Sequence, residues 1–211
     1  MNNRIIIKLM MLSFLAVQLI FPQVFALDKK VKDELILSQV FQKKFSDADG
    51  GFAANNGLFT ISESNNKLYH NIRWLYSGKE RLKDTLASIN TDIDGADIDL
   101  LFSALVKRNR KSKKLPLKSS PENGYIVDYD RKFEKYFIDE GVGGWEKLYR
   151  ENPKARGMVE ISLPAYNEKS DLVLVYVGIQ FHELFGHGWL ILYRFNDGEL
   201  RELIRQGVWV S

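Results

Sequence analysis

Two of the three histidines in the chain fall in one short stretch, His182-Glu183-Leu184-Phe185-Gly186-His187. The chemistry this composition suggests is zinc-assisted hydrolysis, in which two imidazoles four residues apart on one helix face hold the metal and a neighbouring Glu acts as base. Here the spacing is five, which on a helix of 3.6 residues per turn rotates the second imidazole about 140° away from the first. Gly186 and the strand-like runs on either side favour a hairpin instead. With Glu183 to Gly186 as its loop, His182 and His187 would face each other with Cβ atoms about 4.5 to 5.5 Å apart, near enough to share an ion. A third ligand would still be needed, and only Glu183, the distant His70 or an unidentified carboxylate is available. The plainer reading is a polar hairpin tip with two titrating imidazoles, and no metal or cofactor is assigned. A metal-dependent hydrolase using His182, Glu183 and His187 is kept as the alternative.

A second feature is the basic run from Lys107 to Lys118, in which Lys107, Arg108, Arg110, Lys111, Lys113, Lys114 and Lys118 occupy seven of twelve positions with no acid among them. Such a patch can attract an anionic polymer without sequence preference. No aromatic residue is interleaved, so single-strand nucleic-acid stacking is unsupported and nucleic acid is not expected as a partner. The competing reading is a solvated helix end entering a loop at Pro116. The acids Asp92, Asp94, Asp97 and Asp99 suggest a calcium loop, but Ala96, Asp97 and Ser103 stand where a ligand, a glycine and a closing Glu belong. Helix capping accounts for them. The Gly-x-Ser-x-Gly elbow of serine hydrolases and the glycine loops that cradle phosphate are absent. Paired carboxylates for sugar cleavage stay open, since Asp139, Glu140 and Glu160 can be brought near other acids by folding. Trp145 and Tyr149, four apart, form an aromatic pair for the core or for a groove, with the core favoured.

These side chains need elements to position them. Asp97 to Arg108 is predicted as a helix, because Ile98, Leu101, Phe102, Leu105 and Val106 share one stripe. Asp94 or Asp97 caps its start, and Lys107 and Arg108 match its negative end. Val31 to Phe45 is predicted as a helix ended by the polar, glycine-rich Ser46 to Gly51. Leu68, Ile72 and Leu75 fall at helical spacing, continued by Leu82 and Leu86 after Gly78. Gly57 to Ser62 is predicted as an isolated strand. From Met158 the pattern is a meander: Met158 to Leu163, a turn at Pro164 to Ser170, the nearly all-apolar Leu172 to Phe181, then Gly188 to Phe195, the Asn196-Asp197-Gly198 turn and Leu200 to Val210. Leu172 to Phe181 is expected to be covered on both faces. The predicted fold is α+β, one domain over residues 27 to 211: helices to about residue 155, packed on a C-terminal antiparallel meander of about four strands.

Residues 1 to 26 carry the marks of an export signal: Arg4 and Lys8, a short apolar run from Leu9 to Phe21, and Val24-Phe25-Ala26 at a cleavage site. The run is too short to span a bilayer as a helix, and no other segment is long enough. The expected location is the periplasm or the medium. The chain has no Cys, which removes thiol catalysis, Cys-based metal sites and a lipid-anchored leader. It carries 30 Lys and Arg against 27 Asp and Glu. With Arg4 and Lys8 in the leader, the mature net charge is about +1, too small for whole-surface attraction to polyanions.

The order Gly144-Trp145 with Tyr149 and Pro153, Gly157 leading a strand to Ser162, Asn167 in a turn, Leu174-Val175-Tyr176-Val177-Gly178, a glycine-bearing hairpin and a last strand with Trp209 resembles a group of small exported bacterial proteins of unknown function. The resemblance covers about residues 144 to 211 and its motifs are structural. It implies no activity, cofactor or partner. The group carries small residues in the hairpin where this chain has His182, Glu183, Phe185 and His187, and Gly-Phe-Asn where it has Ala165-Tyr166-Asn167. Because no reactive group has a partner at a usable spacing, the expectation is a non-catalytic binding or interaction domain, with another envelope protein or an anionic envelope polymer as partner.

Overall fold

A computed structural model describes residues 29–46, 57–64, 72–89, 91–138, 143–169 and 171–211. The leader, the Asp47 to Gly51 turn, Leu68, His70 and the Asp139-Glu140 pair lie outside the described residues.

The sheet is larger and of a different kind than expected. Seven strands, β1 (Leu58–Ser62), β2 (Tyr125–Asp128), β3 (Ala155–Ile161), β4 (Ala165–Tyr166), β5 (Leu172–His182), β6 (Phe185–Asn196) and β7 (Glu199–Val210), form one sheet in the order β2-β1-β3-β5-β6-β7, with β4 also on β5. The C-terminal strands pair antiparallel as predicted. The correction is at the other edge: β1 is not isolated but lies between β2 and β3 and runs parallel to both, so the sheet is mixed and has more than four strands. Parallel pairing needs a long crossover, so the partners of β1 are remote in sequence and no local pattern announces them.

The β6–β7 turn follows its sequence signal. Asp197 and Gly198 both have positive φ, 52° and 81°, as a two-residue hairpin turn with the strands' own twist demands. Along β5, Val173, Val175, Val177 and Ile179 enter one core while Leu172, Leu174 and Tyr176 enter the other. The strand is thus covered on both faces, as its unbroken apolar run predicted.

Helix α1 (Lys29–Ser46) covers the first face with Ile36, Leu37, Val40 and Phe41. Helices α2 (Ile72–Ser88) and α3 (Gly95–Arg108) cover the second with Leu75, Leu82 and Leu86 and with Ile98, Leu101, Phe102 and Leu105. Gly78 sits inside α2 where a Cβ would come within 3.0 Å of Val208, so the glycine lets the helix press on β7. Asp94 caps α3: its carboxylate accepts from the Asp97 N–H at 2.8 Å, and the Asp97 side chain reaches back to the Asp94 amide, a capping box that satisfies two free donors. Two short helices follow, α4 (Lys135–Ile138) and α5 (Gly143–Glu151). Trp145 and Leu148 of α5 pack with Tyr136 and with Met158 of β3.

Two polar ties fix α3 to the rest. The buried Asn109 amide donates to the carbonyls of Leu105 and Leu163 at 2.8 and 2.9 Å and accepts from the Leu163 N–H at 2.8 Å. Arg108 donates to the Pro164 carbonyl and pairs with the buried Asp33 of α1, which also accepts from the Tyr166 hydroxyl at 2.8 Å. Asn109→Ala strands buried backbone groups of Leu163, so urea denaturation should show a loss of about 3 kcal/mol; an unchanged midpoint would contradict the clamp.

Burial pushes the phenols of Tyr176 and Tyr193 well above the ordinary tyrosine value of 10.0. The fold therefore keeps protons that the unfolded chain releases near that pH. Their stabilising contribution is complete below about pH 10 and is lost as pH rises past it, by about 1.4 kcal/mol per pH unit for each phenol. The Tyr193 hydroxyl has no hydrogen-bond partner among the described residues. Tyr193→Phe should accordingly flatten the fall of the urea midpoint with rising pH and raise stability at neutral pH; an equal or steeper alkaline fall in the variant would refute this account.

Candidate functional site

The hairpin that carries the histidines is tighter than expected. His182 pairs with Phe185, so the loop is Glu183-Leu184 alone, and a register shift follows Gln180. His187 consequently pairs with Ile179, not with His182. The cause is local: two residues suffice for the turn, and the shift at Phe181 absorbs the extra residue as a bulge. His187 instead lies between two rings, edge-on to Phe185 and stacked on Trp189, each at 5.5 Å. No group of three His, Asp or Glu able to hold a metal occurs among the described residues. The Glu183 Oε1 is shielded from solvent without a hydrogen-bond partner among them.

The basic run divides in two. Arg108 is half-buried in its ion pair with Asp33. Lys107 is exposed on the last turn of α3, and Arg110, Lys111, Lys113 and Lys114 are exposed along the segment after it, which Leu115 and Leu117 anchor in the core. Lys113, Lys114 and Lys118 edge a depression of about 820 Å³ that Asp33 and Glu34 also line. Lys118 reaches Glu34 at 3.6 Å and Lys114 lies over the Tyr129 ring at 5.3 Å. The depression thus mixes both signs of charge.

A different site comes from the second sheet face. Between the cover supplied by α2 and that supplied by α5 runs a groove of about 720 Å³. Trp74 of α2, Trp145 of α5 and Trp209 of β7 all line it, three of the chain's four tryptophans. Gly178 lines its floor, and Gly186 and Gly188 lie beneath the Trp209 ring. Gly188 is the cross-strand partner of both Gly178 and Trp209. A Cβ at Gly188 would fall 2.0 Å from the indole nitrogen of Trp209, one at Gly186 would fall 3.0 Å from its six-membered ring, and one at Gly178 would fall 3.4 Å away. The indole therefore lies flat across β6 onto β5, as only bare backbone permits. Its N–H donates to the Tyr176 hydroxyl at 2.9 Å, which fixes the ring's rotation.

The polar groups of the groove are few. Glu160 of β3 stands directly opposite Gly178, so its carboxylate and the Trp209 ring flank the same glycine from opposite sides. Glu160 is solvent-accessible, yet its crowded surroundings remove enough water to push its carboxyl above the ordinary value. It also acts electrostatically on the buried Tyr176 phenol. Glu134 is held by Arg131 at 2.7 Å. Gln180, Ser62 and Ser211 complete the polar lining, with no Lys, Arg or His in it among the described residues.

Trp145 is both core and groove: it is buried against Phe137 at 4.9 Å and Tyr149 at 5.9 Å, and it also lines the groove. Tyr149 clamps α5 to the hairpin by donating to the Phe181 carbonyl at 2.5 Å, and burial pushes its phenol up to about 12. Trp74, Tyr176, Trp209 and Glu134 escaped sequence reading because they come from remote segments. One signal was available: Gly178, Gly186 and Gly188 share a sheet face, and a face of bare glycine next to a tryptophan strand implies a ring laid over it.

Gly188→Ala should displace the indole, which would be read as a shifted tryptophan emission maximum and a stability loss of about 1–3 kcal/mol. Gly207→Ala, whose Cβ meets nothing within 4 Å, should leave both unchanged within about 0.5 kcal/mol; equal effects at the two positions would remove the glycine floor as the cause. Comparison with protein-family models, with curated proteins and with solved structures finds no match to this chain.

Proposed function

We propose that this protein is an exported, non-catalytic binding domain and that the tryptophan groove is where it binds an organic ligand bearing no net negative charge. The observation that carries this reading is the convergence of Trp74, Trp145 and Trp209 on one groove, with the Trp209 ring seated on glycines. Its volume of about 720 Å³ lies within the roughly 300–1,000 Å³ of small-molecule sites, which are mostly apolar with a few placed polar groups. An indole that bare backbone holds flat, with its N–H already engaged, is set in place before any ligand arrives, so little ordering cost falls on binding. The glutamates and the absence of lining cations disfavour phosphates and carboxylates. Export is supported by the basic, apolar and small-residue pattern of residues 1 to 26. No helix among the described residues is long and apolar enough to cross a membrane.

The basic depression remains a second surface for an anionic polymer, but Asp33 and Glu34 in its lining oppose that attraction. The groove reading is tested by tryptophan fluorescence and thermal-shift titration with a quaternary amine, a neutral oligosaccharide and a sugar phosphate. At least one uncharged or cationic probe should quench emission and raise the melting temperature, the phosphate should do neither, and Trp74→Ala should weaken the response about tenfold, as loss of one aromatic wall implies. Tightest binding by the phosphate, or full affinity in Trp74→Ala, would overturn the reading. For export, N-terminal sequencing of the protein from envelope or medium should begin at Leu27.

A further inference from the structure

Resting on the groove as the binding site, we propose that its ligand is an uncharged saccharide, with the C–H face of one sugar ring against the Trp209 indole and its hydroxyls bonded to Gln180, Ser62 and Ser211. A saccharide is amphipathic in a particular way: each ring has a flat patch of C–H bonds and a rim of hydroxyls that both donate and accept. The groove has a counterpart for each. One face of Trp209 rests on Gly186 and Gly188 and the ring lines the groove, which leaves its other face as a flat apolar platform. Its N–H is already given to the Tyr176 hydroxyl at 2.9 Å, so the platform is fixed before a ligand arrives, and laying a C–H face on it removes apolar surface from water. Trp74, 60% exposed, adds a second accessible ring to the lining.

The hydrogen-bonding groups stand at the edge of that platform. The point that a Cβ would occupy at Gly186 is 3.0 Å from the Trp209 ring and 3.1 Å from Gln180 Cγ, so the Gln180 side chain runs beside the indole. Ser211 exchanges backbone hydrogen bonds with the same Gly186, its N–H donating to the Gly186 carbonyl at 3.1 Å. Trp209, Gln180 and Ser211 therefore meet at one glycine, and Ser62 joins the lining from β1. An amide and two hydroxyls supply donors and acceptors together, which is the pattern a hydroxyl rim needs. Gln180 and Ser211 are exposed, so a ligand that covers them must replace the water they lose, and one without hydroxyls leaves them unpaired. Charged ligands are served less well. No Lys, Arg or His lines the groove among the described residues to hold an anion. Glu134 is held by Arg131 at 2.7 Å and Glu160 has a partner of its own, so neither is a free charge that selects a cation.

The test titrates the mature full-length protein, by tryptophan fluorescence, with the uncharged trisaccharides maltotriose, cellotriose and chitotriose, with cyclohexylmethanol as an apolar ring bearing one hydroxyl, and with choline chloride. At least one trisaccharide should bind about tenfold more tightly than cyclohexylmethanol and than choline. Gln180→Ala changes an exposed side chain, so its melting temperature without ligand should match that of the parent. That trisaccharide should bind the variant about tenfold more weakly, the worth of one or two hydrogen bonds, while cyclohexylmethanol is unaffected. Tightest binding of choline or of cyclohexylmethanol, or an unaltered trisaccharide affinity in Gln180→Ala, would overturn the saccharide and leave the groove as the site of a different ligand class. Absence of a response to every probe would overturn the groove as a binding site and the saccharide with it.

Discussion

The strand β5 has no solvent face for most of its length, and the rest of the architecture follows from that constraint. Residues Leu172 to Ile179 are all buried, so apolar cover is required on both sides of the sheet, and burying each such side chain stabilises by about 1.5–3 kcal/mol only if the cover is complete. On one face α1 supplies it. On the other, α2 and α3 cover the end of the strand that carries Leu172 and Leu174, and Tyr176 joins the same cluster. Further along, β5 and β6 switch from large residues to Gly178, Gly186 and Gly188, and the cover there is a single indole from β7. The groove is where helical cover gives way to that one ring.

The helices were legible from sequence because each carries its own pattern. The stripe of α3 buries Ile98, Leu101, Phe102 and Leu105 as spaced, and its cap is one of the two aspartates expected. The C-terminal strands were legible for a similar reason: short turns join antiparallel neighbours, so pattern and pairing are both local. What escaped was non-local. The segment Leu58–Ser62 reads correctly as extended, but its partners Tyr125–Asp128 and Ala155–Ile161 lie far along the chain, and a four-residue strand such as β2 is too short to show a period. The same distinction explains the site. His182, Glu183 and His187 drew notice because they are adjacent in sequence, whereas Trp74, Trp145, Glu160 and Trp209 are adjacent only once the sheet forms.

The hairpin shows how little separates those outcomes. Had the loop run from Glu183 to Gly186, the two imidazoles would have met across the strands. A two-residue turn and one bulge shift the register, and His187 stacks on Trp189 instead. Because side chains alternate faces along a strand, such a shift changes which residues meet without altering the sequence signal for the hairpin. The residue types in the tip suggested an alternative chemistry, and the turn geometry keeps the two imidazoles from pairing across the strands.

Net charge is similarly uninformative here, because the near balance of 30 cations and 27 acids averages over surfaces of opposite character. The lysines after α3 crowd one depression, where Asp33 and Glu34 answer them. The tryptophan groove gathers carboxylates beside aromatic faces and no lining base among the described residues. Exposed opposite charges in water interact weakly and are screened within about 10 Å, so the depression offers a ligand a modest and salt-sensitive attraction. Glu160 is exposed, but its surroundings displace part of its water and push its carboxyl up, so its field is screened less than that of a fully hydrated charge. Of the two surfaces, the groove with its fewer charges therefore depends more on where each carboxylate is placed than on net charge.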